Sequence, residues 1–112
     1  MTKLVTLFTL AAIAAAPLPA LGDEVKAGDR VAATAAFFMC GAREDLATMD
    51  ALERQGDRQT ALKIGMQRCE SGRASSTYVV EQGDADALCI RSGSTPYCLW
   101  ARRSALQVTP SQ

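Results

Sequence analysis

The chain has 112 residues, its 12 lysines and arginines balance its 12 aspartates and glutamates, and it contains no histidine. This length predicts a single domain, and the neutral charge argues against nucleic acid as a partner. Without histidine the chain lacks the commonest general base and metal ligand at neutral pH, which excludes Ser-His and Cys-His catalysis. We therefore expect no catalytic residues, no metal site and no cofactor.

Residues 1–22 have the pattern of a secretory signal. Lys3 supplies a positive charge, an apolar run of about 13 residues follows, and Ala20 and Gly22 put small residues before a cleavage site. A transmembrane anchor is the alternative, but the run is shorter than the roughly 20 residues that span a bilayer. We expect cleavage after Gly22, which leaves a periplasmic or secreted protein without a membrane span.

The mature chain, residues 23–112, is predicted to be one disulfide-stapled domain. Cleavage removes Lys3 and leaves 11 basic and 12 acidic residues. A domain of this size has a thin core and benefits from covalent cross-links. Its four cysteines are Cys40, Cys69, Cys89 and Cys98. An even number in a small exported domain is typical of disulfides, and no C-x-x-C motif of a metal or redox site is present.

The first predicted element of the mature chain is a strand within residues 29–40. The residues on one side of a period-two pattern are Val31, Ala33, Ala35, Phe37 and Met39. The alanines in this segment also suit a helix, which is the alternative interpretation.

A helical insert is predicted at about residues 42–68. Leu46, Met49 and Leu52 recur at helical spacing. Gly56 is a natural helix end, and Asp57 is a suitable N-cap for a second helix.

The second helix would carry an apolar stripe of Leu62, Met66 and Cys69 at i, i+4 and i+7. The pattern favours two short helices joined by a tight Gly-Asp turn. One long helix that contains a glycine is the alternative.

The remainder of the chain predicts β-structure after a loop at residues 70–76, which are rich in serine and glycine. The strand candidates are 77–81, 87–91 and 97–100, with a turn at Gly83-Asp84 between the first two. One helical turn at 102–106 should precede a last short strand near Gln107-Val108.

The last hairpin predicts one disulfide, and the helical insert predicts the other. If Gly93-Ser94 form a two-residue turn, Cys89 lies directly opposite Cys98 in a pair without hydrogen bonds, close enough for a bridge. Two antiparallel helices of similar length bring Cys40 and Cys69 together. We therefore predict the pairs Cys40–Cys69 and Cys89–Cys98.

This order of elements resembles the bacterial Src-homology-three-like small β-barrels of exported proteins. The residues that carry the resemblance are Ala27–Val31 before and in the first strand, Tyr97–Trp100 in the penultimate strand, and Arg103–Leu106 after it. The resemblance implies a mainly β fold with an α insert, in which a helical hairpin follows the first strand of a five-stranded barrel. Eukaryotic domains of this fold bind proline-rich peptides on an aromatic-lined groove. The few aromatics of the mature chain do not supply such a groove, so that function is not carried over.

A possible partner-binding cluster is predicted near the last hairpin. Arginines and aromatic side chains are enriched at interface hot spots. The candidate residues are Tyr97, Trp100, Arg91, Arg102 and Arg103. The alternative is a solvated fringe of arginines over a tryptophan that packs in the core.

The function that these observations favour is a small periplasmic or secreted, non-enzymatic binding or accessory module that contacts a protein or cell-envelope partner. One alternative is an exported inhibitor of a hydrolase, which would insert a loop into the cleft of its target. Another is a thiol-redox helper that uses Cys89 and Cys98.

Overall fold

The computed structural model describes residues 25–110, and the predicted signal at 1–22 lies outside the described residues. They form an α+β domain with one seven-stranded sheet and two helices, which confirms the predicted fold class in its coarse form. The strands are β1 (Arg30–Ala32), β2 (Phe37–Cys40), β3 (Cys69–Gly72), β4 (Thr77–Gly83), β5 (Ala87–Arg91), β6 (Leu99–Arg102) and β7 (Gln107–Val108). The helices are α1 (Arg43–Arg54) and α2 (Arg58–Arg68), and a 3₁₀ turn at Arg103–Ala105 precedes β7.

The sheet has the strand order β3-β2-β6-β5-β4-β1-β7, and every neighbouring pair is antiparallel. Because β3 and β7 are its two edges, the sheet is open, and a closed five-stranded barrel is not seen in the described part of the chain. Across residues 25–110 no helix is long and apolar enough to cross a membrane.

The prediction of one strand within residues 29–40 was wrong, because the segment forms two separate strands. β1 pairs with β4 and β7, whereas β2 pairs with β3 and β6. The bend between them consists of small residues, and the Ala33 carbonyl accepts a hydrogen bond from the Ser75 N–H at 3.0 Å. The helical insert therefore follows the second strand rather than the first.

The predicted alternation holds for Val31, Ala33, Phe37 and Met39 but not for Ala35, which is exposed in the bend, and it separates two cores. Phe37 packs against the first core and meets Tyr78 edge to face at 5.8 Å between ring centroids, while Phe38 packs against the second. The first core contains Val31, Ala33, Met39, Tyr78, Val80, Leu88, Ile90, Ala101 and Leu106. The second lies between the helices and the sheet and contains Cys40, Leu46, Met49, Ala61 and Ala87.

The helical hairpin is confirmed as two helices. α1 ends at Arg54, and Gly56 takes a positive φ of 88°, which glycine adopts at low cost. The Asp57 carboxylate then accepts a hydrogen bond from the Thr60 N–H at 3.2 Å and caps α2. The tight turn reverses the chain and brings the start of α1 near the end of α2.

Both predicted disulfides are present, with Cα–Cα distances of 4.3 Å for Cys40–Cys69 and 5.3 Å for Cys89–Cys98. The predicted register of the last hairpin was wrong, since Cys89 lies opposite Trp100 and not opposite Cys98. β6 begins only at Leu99, after a loop that contains Pro96, a residue without an N–H for the ladder. Cys98 is two residues before Trp100, so the disulfide forms diagonally on one face of the sheet.

The predicted loop at residues 70–76 also contains β3, which was missed. Cys69 pairs with Cys40, and Gly72 pairs with Phe37, whose ring lies over the glycine. This segment is polar and has little intrinsic strand propensity. The Cys40–Cys69 disulfide and the free edge of β2 supply the pairing that its own sequence does not predict.

Candidate functional site

The structure does not bring the predicted arginines and aromatics into one patch. Arg102 lies opposite Ala87 at one end of the β5–β6 ladder, whereas Arg91 lies at the loop end. Arg91 donates to the Glu81 carboxylate on β4, and Arg102 donates to Glu53 on α1 at 2.9 Å. Each of these two arginines therefore has an internal acidic partner.

The remaining members of the predicted cluster have different environments. Arg103 lies in the 3₁₀ turn, where its backbone N–H donates to the Asp86 carbonyl at 2.8 Å and its guanidinium to the Leu106 carbonyl at 3.3 Å. Tyr97 is 52% exposed in the loop before β6, while Trp100 is half-buried and packs on the second core. Partner binding by these residues stays a prediction.

Arg43 at the start of α1 has two contacts that the sequence analysis missed. Its guanidinium carbon lies 4.9 Å from the centroid of the Trp100 ring, within cation–π range, and its Nη2 lies 2.6 Å from Asp84 Oδ2. The three residues are far apart in the chain, so no local pattern indicates their contact. Together they fix the start of α1 to the turn between β4 and β5.

The Asp84 carboxylate is held in its charged form. Its Oδ1 accepts hydrogen bonds from the N–H groups of Asp86 at 2.9 Å and Ala87 at 3.1 Å. The hydrogen bond from Arg43, followed by those two N–H groups, lowers the pKa of Asp84 to about 2. A carboxylate with this pKa is a poor general base at neutral pH, and its contacts favour a structural role.

A polar cleft of about 440 Å³ separates α1 from the ends of β5 and β6. The residues that line it include Arg43, Asp50, Arg54, Asp86, Arg102 and Ser104. Its arginines already pair with acids of the same domain, as Arg54 does with Asp50 at 3.6 Å. In the described range 25–110, no three or more histidine, cysteine, aspartate or glutamate side chains form a group that could hold a metal ion.

On α2, two large apolar side chains are exposed rather than packed against the rest of the domain. Leu62 is 51% exposed and Met66 is 70% exposed, and they lie one turn apart on α2. Arg58 and Lys63 are exposed on the same half of the helix, since successive residues are separated by about 100° around its axis. We call Arg58, Leu62, Lys63 and Met66 the outer face of α2.

This orientation of α2 follows from its small residues. Ala61 and Gly65 are the buried residues of the helix, and a Cβ atom on Gly65 would lie 2.5 Å from the Phe38 ring. The helix can therefore approach β2 closely only with its glycine side inward. That approach rotates Leu62 and Met66 into solvent, although an apolar stripe on a helix ordinarily faces the core.

A groove continues the outer face of α2 towards α1. It has a volume of about 180 Å³ and is lined by Phe38, Met49, Glu53, Arg58, Gln59, Ala61 and Leu62. Apolar side chains from β2, α1 and α2 thus border the groove, with charged and amide groups beside them. Small-molecule pockets typically have about 300–1,000 Å³, so this groove fits a side chain of a partner better than a whole small molecule.

A scan against protein-family models, a search of curated proteins and a search of solved structures each gave no match.

Proposed function

We propose that this chain is an exported, non-enzymatic binding module that contacts a protein or cell-envelope partner through the outer face of α2 and the adjoining groove. The proposal rests on the exposure of Leu62 and Met66, which lie side by side on α2. Neither side chain belongs to the two hydrophobic cores of the domain. Adjacent large apolar side chains in solvent cost solvation free energy, and such surfaces mark interaction sites.

We also propose that the domain is related to the Src-homology-three-like barrels. Within the sheet, the five strands β7-β1-β4-β5-β6 are consecutive, and a 3₁₀ turn joins the last two in sequence, β6 and β7. Under this proposal β2, the helical hairpin and β3 form one insert between the first and second barrel strands. An experimental structure of the mature domain with a different order among these five strands would remove the relationship.

Export supports the same function. Two disulfides within one small domain are consistent with an oxidising compartment. We expect the mature chain to begin at Asp23, and the intact mass of the periplasmic or secreted protein tests this. Recovery of the full-length chain in the inner membrane would contradict export.

The binding surface is tested by capture with matched variants of the mature protein. The double variant Leu62→Asp, Met66→Asp should lose a specific partner from an envelope extract. Its unfolding midpoint should fall only by the lower helix propensity of aspartate, because neither side chain belongs to a core. Tyr97→Asp is the control, because Tyr97 is also about half exposed but lies in the β5–β6 loop. Loss of capture in the control alone would transfer the interface to the arginine–aromatic residues.

An exported hydrolase inhibitor is the second candidate function. The loop at residues 92–98 is closed at its base by the Cys89–Cys98 disulfide, and it presents an exposed Tyr97. A loop constrained in this way loses less entropy when it enters a cleft. Inhibition of an envelope hydrolase that Tyr97→Asp abolishes, and that the α2 double variant retains, would favour this candidate.

The thiol-redox alternative requires access to one sulfur atom of the Cys89–Cys98 disulfide. Cys89 is only 2% exposed, whereas Cys98 is half-buried, so any exchange would begin at Cys98. Thiol titration of native protein under mild reduction tests it. Ready reduction of Cys89–Cys98 would favour a redox role.

A further inference from the structure

The charges around the outer face of α2 indicate the chemistry of its partner. α2 contains Arg58, Lys63 and Arg68 and no acidic residue. Arg68 pairs with Asp45 on α1 at 3.4 Å. Arg58 and Lys63 form no ion pair with any residue in the described segment 25–110.

Two acidic residues close to Arg58 are engaged elsewhere. Glu53 borders the groove beside Arg58, but its carboxylate accepts a hydrogen bond from Arg102 at 2.9 Å. Asp57 precedes Arg58, but its carboxylate accepts from the Thr60 N–H and caps the helix. The outer face of α2 therefore combines two exposed apolar side chains with two cations that the domain itself does not neutralise.

We propose that the partner presents an amphipathic acidic helix, with apolar residues at i and i+4 flanked by aspartate or glutamate. This inference rests on the proposed function and specifies its partner. The apolar residues of such a helix would cover Leu62 and Met66 and enter the groove, as in helix-in-groove recognition. Its carboxylates would pair with Arg58 and Lys63, so that the charges on the two surfaces are complementary.

Two other occupants of this face fit the charges less well. A second copy of α2 would bring the cations of both chains together, and like charges across an interface oppose binding. An anionic membrane attracts extended basic surfaces, whereas residues 23–112 contain 11 basic and 12 acidic residues. The experiment below includes a result that would identify each of these two occupants.

The experiment uses the mature protein and three synthetic helical peptides with the same apolar residues. Their flanking residues are glutamate, glutamine or lysine, and affinity is measured by fluorescence anisotropy at low and at high salt. At low salt we expect the glutamate peptide to bind at least fivefold more tightly than the lysine peptide. The ratio should fall towards one at high salt, because exposed ion pairs are screened.

Variants separate this inference from the proposed function. Arg58→Glu with Lys63→Glu should reverse the peptide preference, whereas the control Lys26→Glu with Arg73→Glu, which changes the charge equally at exposed positions away from α2, should preserve it. Leu62→Asp with Met66→Asp should abolish binding of the glutamate peptide.

Equal binding of all three peptides that still requires Leu62 and Met66 would overturn the acidic partner and leave the binding face intact. If none of the three peptides binds, the inference of an acidic partner is overturned as well. Binding to vesicles that contain phosphatidylglycerol, without binding to the glutamate peptide, would identify a membrane as the occupant instead. Concentration-dependent dimerisation that the α2 double variant removes would identify a second copy of the chain.

Discussion

The two helices of the hairpin are nearly equal in length, but they place their large apolar side chains differently. α1 buries Leu46 and Met49, which are 5% and 3% exposed. α2 buries Ala61 and Gly65, keeps Ile64 half-buried against the second core, and leaves Leu62 and Met66 exposed. The comparison shows that the side of a helix that packs is decided by how closely its backbone must approach the sheet, and not by the size of its apolar residues alone.

The ends of the two helices are also fixed differently. α1 begins with Arg43, which contacts Trp100 and Asp84 of the sheet, and Arg102 reaches α1 from β6. α2 continues directly into β3 through Cys69, whose disulfide with Cys40 encloses the whole hairpin. Both helices thus pack on the second core, with exposed ion pairs beside α1 and a covalent bond at the end of α2.

The largest expected effect is the loss of the disulfide that encloses both helices. Cys40→Ala with Cys69→Ala should lower the free energy of unfolding by about 3.5 kcal/mol, because the bond closes the longer loop. The matched variant Cys89→Ala with Cys98→Ala should cost about 2.5 kcal/mol. Guanidinium unfolding of both variants measures the difference, and a larger loss in the second would contradict the importance assigned to the hairpin.

The methionines of the two helices give the next comparison. Met49→Ala should lower the free energy of unfolding by about 2–3 kcal/mol, the lower part of the range for a buried methionine, because it empties part of a small core. Met66→Ala should change it by no more than about 0.5 kcal/mol, because the side chain is in solvent. Urea unfolding gives both values, provided that the variants show the same dependence of unfolding free energy on urea concentration as the wild type. Similar losses in the two variants would mean that α2 packs through Met66 after all.

The close approach of α2 is tested at Gly65. Gly65→Ala should destabilise the domain by roughly 1 kcal/mol, since overpacking against the Phe38 ring outweighs the gain in helix propensity. Gly41→Ala is the control, because a Cβ atom there meets no other atom within 4 Å. Adding Phe38→Leu to Gly65→Ala should cost less than the sum of the single changes. Additive losses would show that the helix does not rest on this ring.

The anchor of α1 predicts a smaller effect that depends on pH. The pKa of Asp84 is lowered from 3.8 to about 2 in the folded protein, so its contribution to stability is complete above about pH 4 and is lost as the pH falls towards 2. Unfolding of the wild type and of Asp84→Asn, followed from pH 5 to pH 2, isolates this carboxyl from the others. The variant should lose less stability over that interval, and parallel curves would show that Arg43 does not hold Asp84.

Local signals predicted much of the fold but little of the candidate site. Gly56 and Asp57 define the turn between the helices through backbone preferences that act within a few residues, so the hairpin was predictable. The orientation of α2 depends on the ring of Phe38, which belongs to a distant strand. Leu62 and Met66 were therefore recognised as an apolar stripe but not as an exposed one.

The β-structure shows the same limit. Period-two alternation assigned Val31 and Met39 to one face correctly, but it could not show that the chain bends between them and joins two different parts of the sheet. The predicted register of the last hairpin was wrong because it assumed a two-residue turn at Gly93-Ser94, whereas a longer loop separates β5 from β6, which begins only at Leu99. The contact of Arg43 with Asp84 links residues that no pattern relates.

The central claim, that α2 presents Met66 to solvent while α1 buries Met49, is tested most directly by methyl NMR. Without Met1 the chain contains three methionines, Met39, Met49 and Met66, so three ε-methyl signals report on three environments. A soluble gadolinium chelate should broaden the Met66 signal strongly and spare the other two, which are 8% and 3% exposed against 70% for Met66. A Met66 signal as protected as that of Met49 in the isolated mature protein would contradict the exposed face on which the proposed binding function depends.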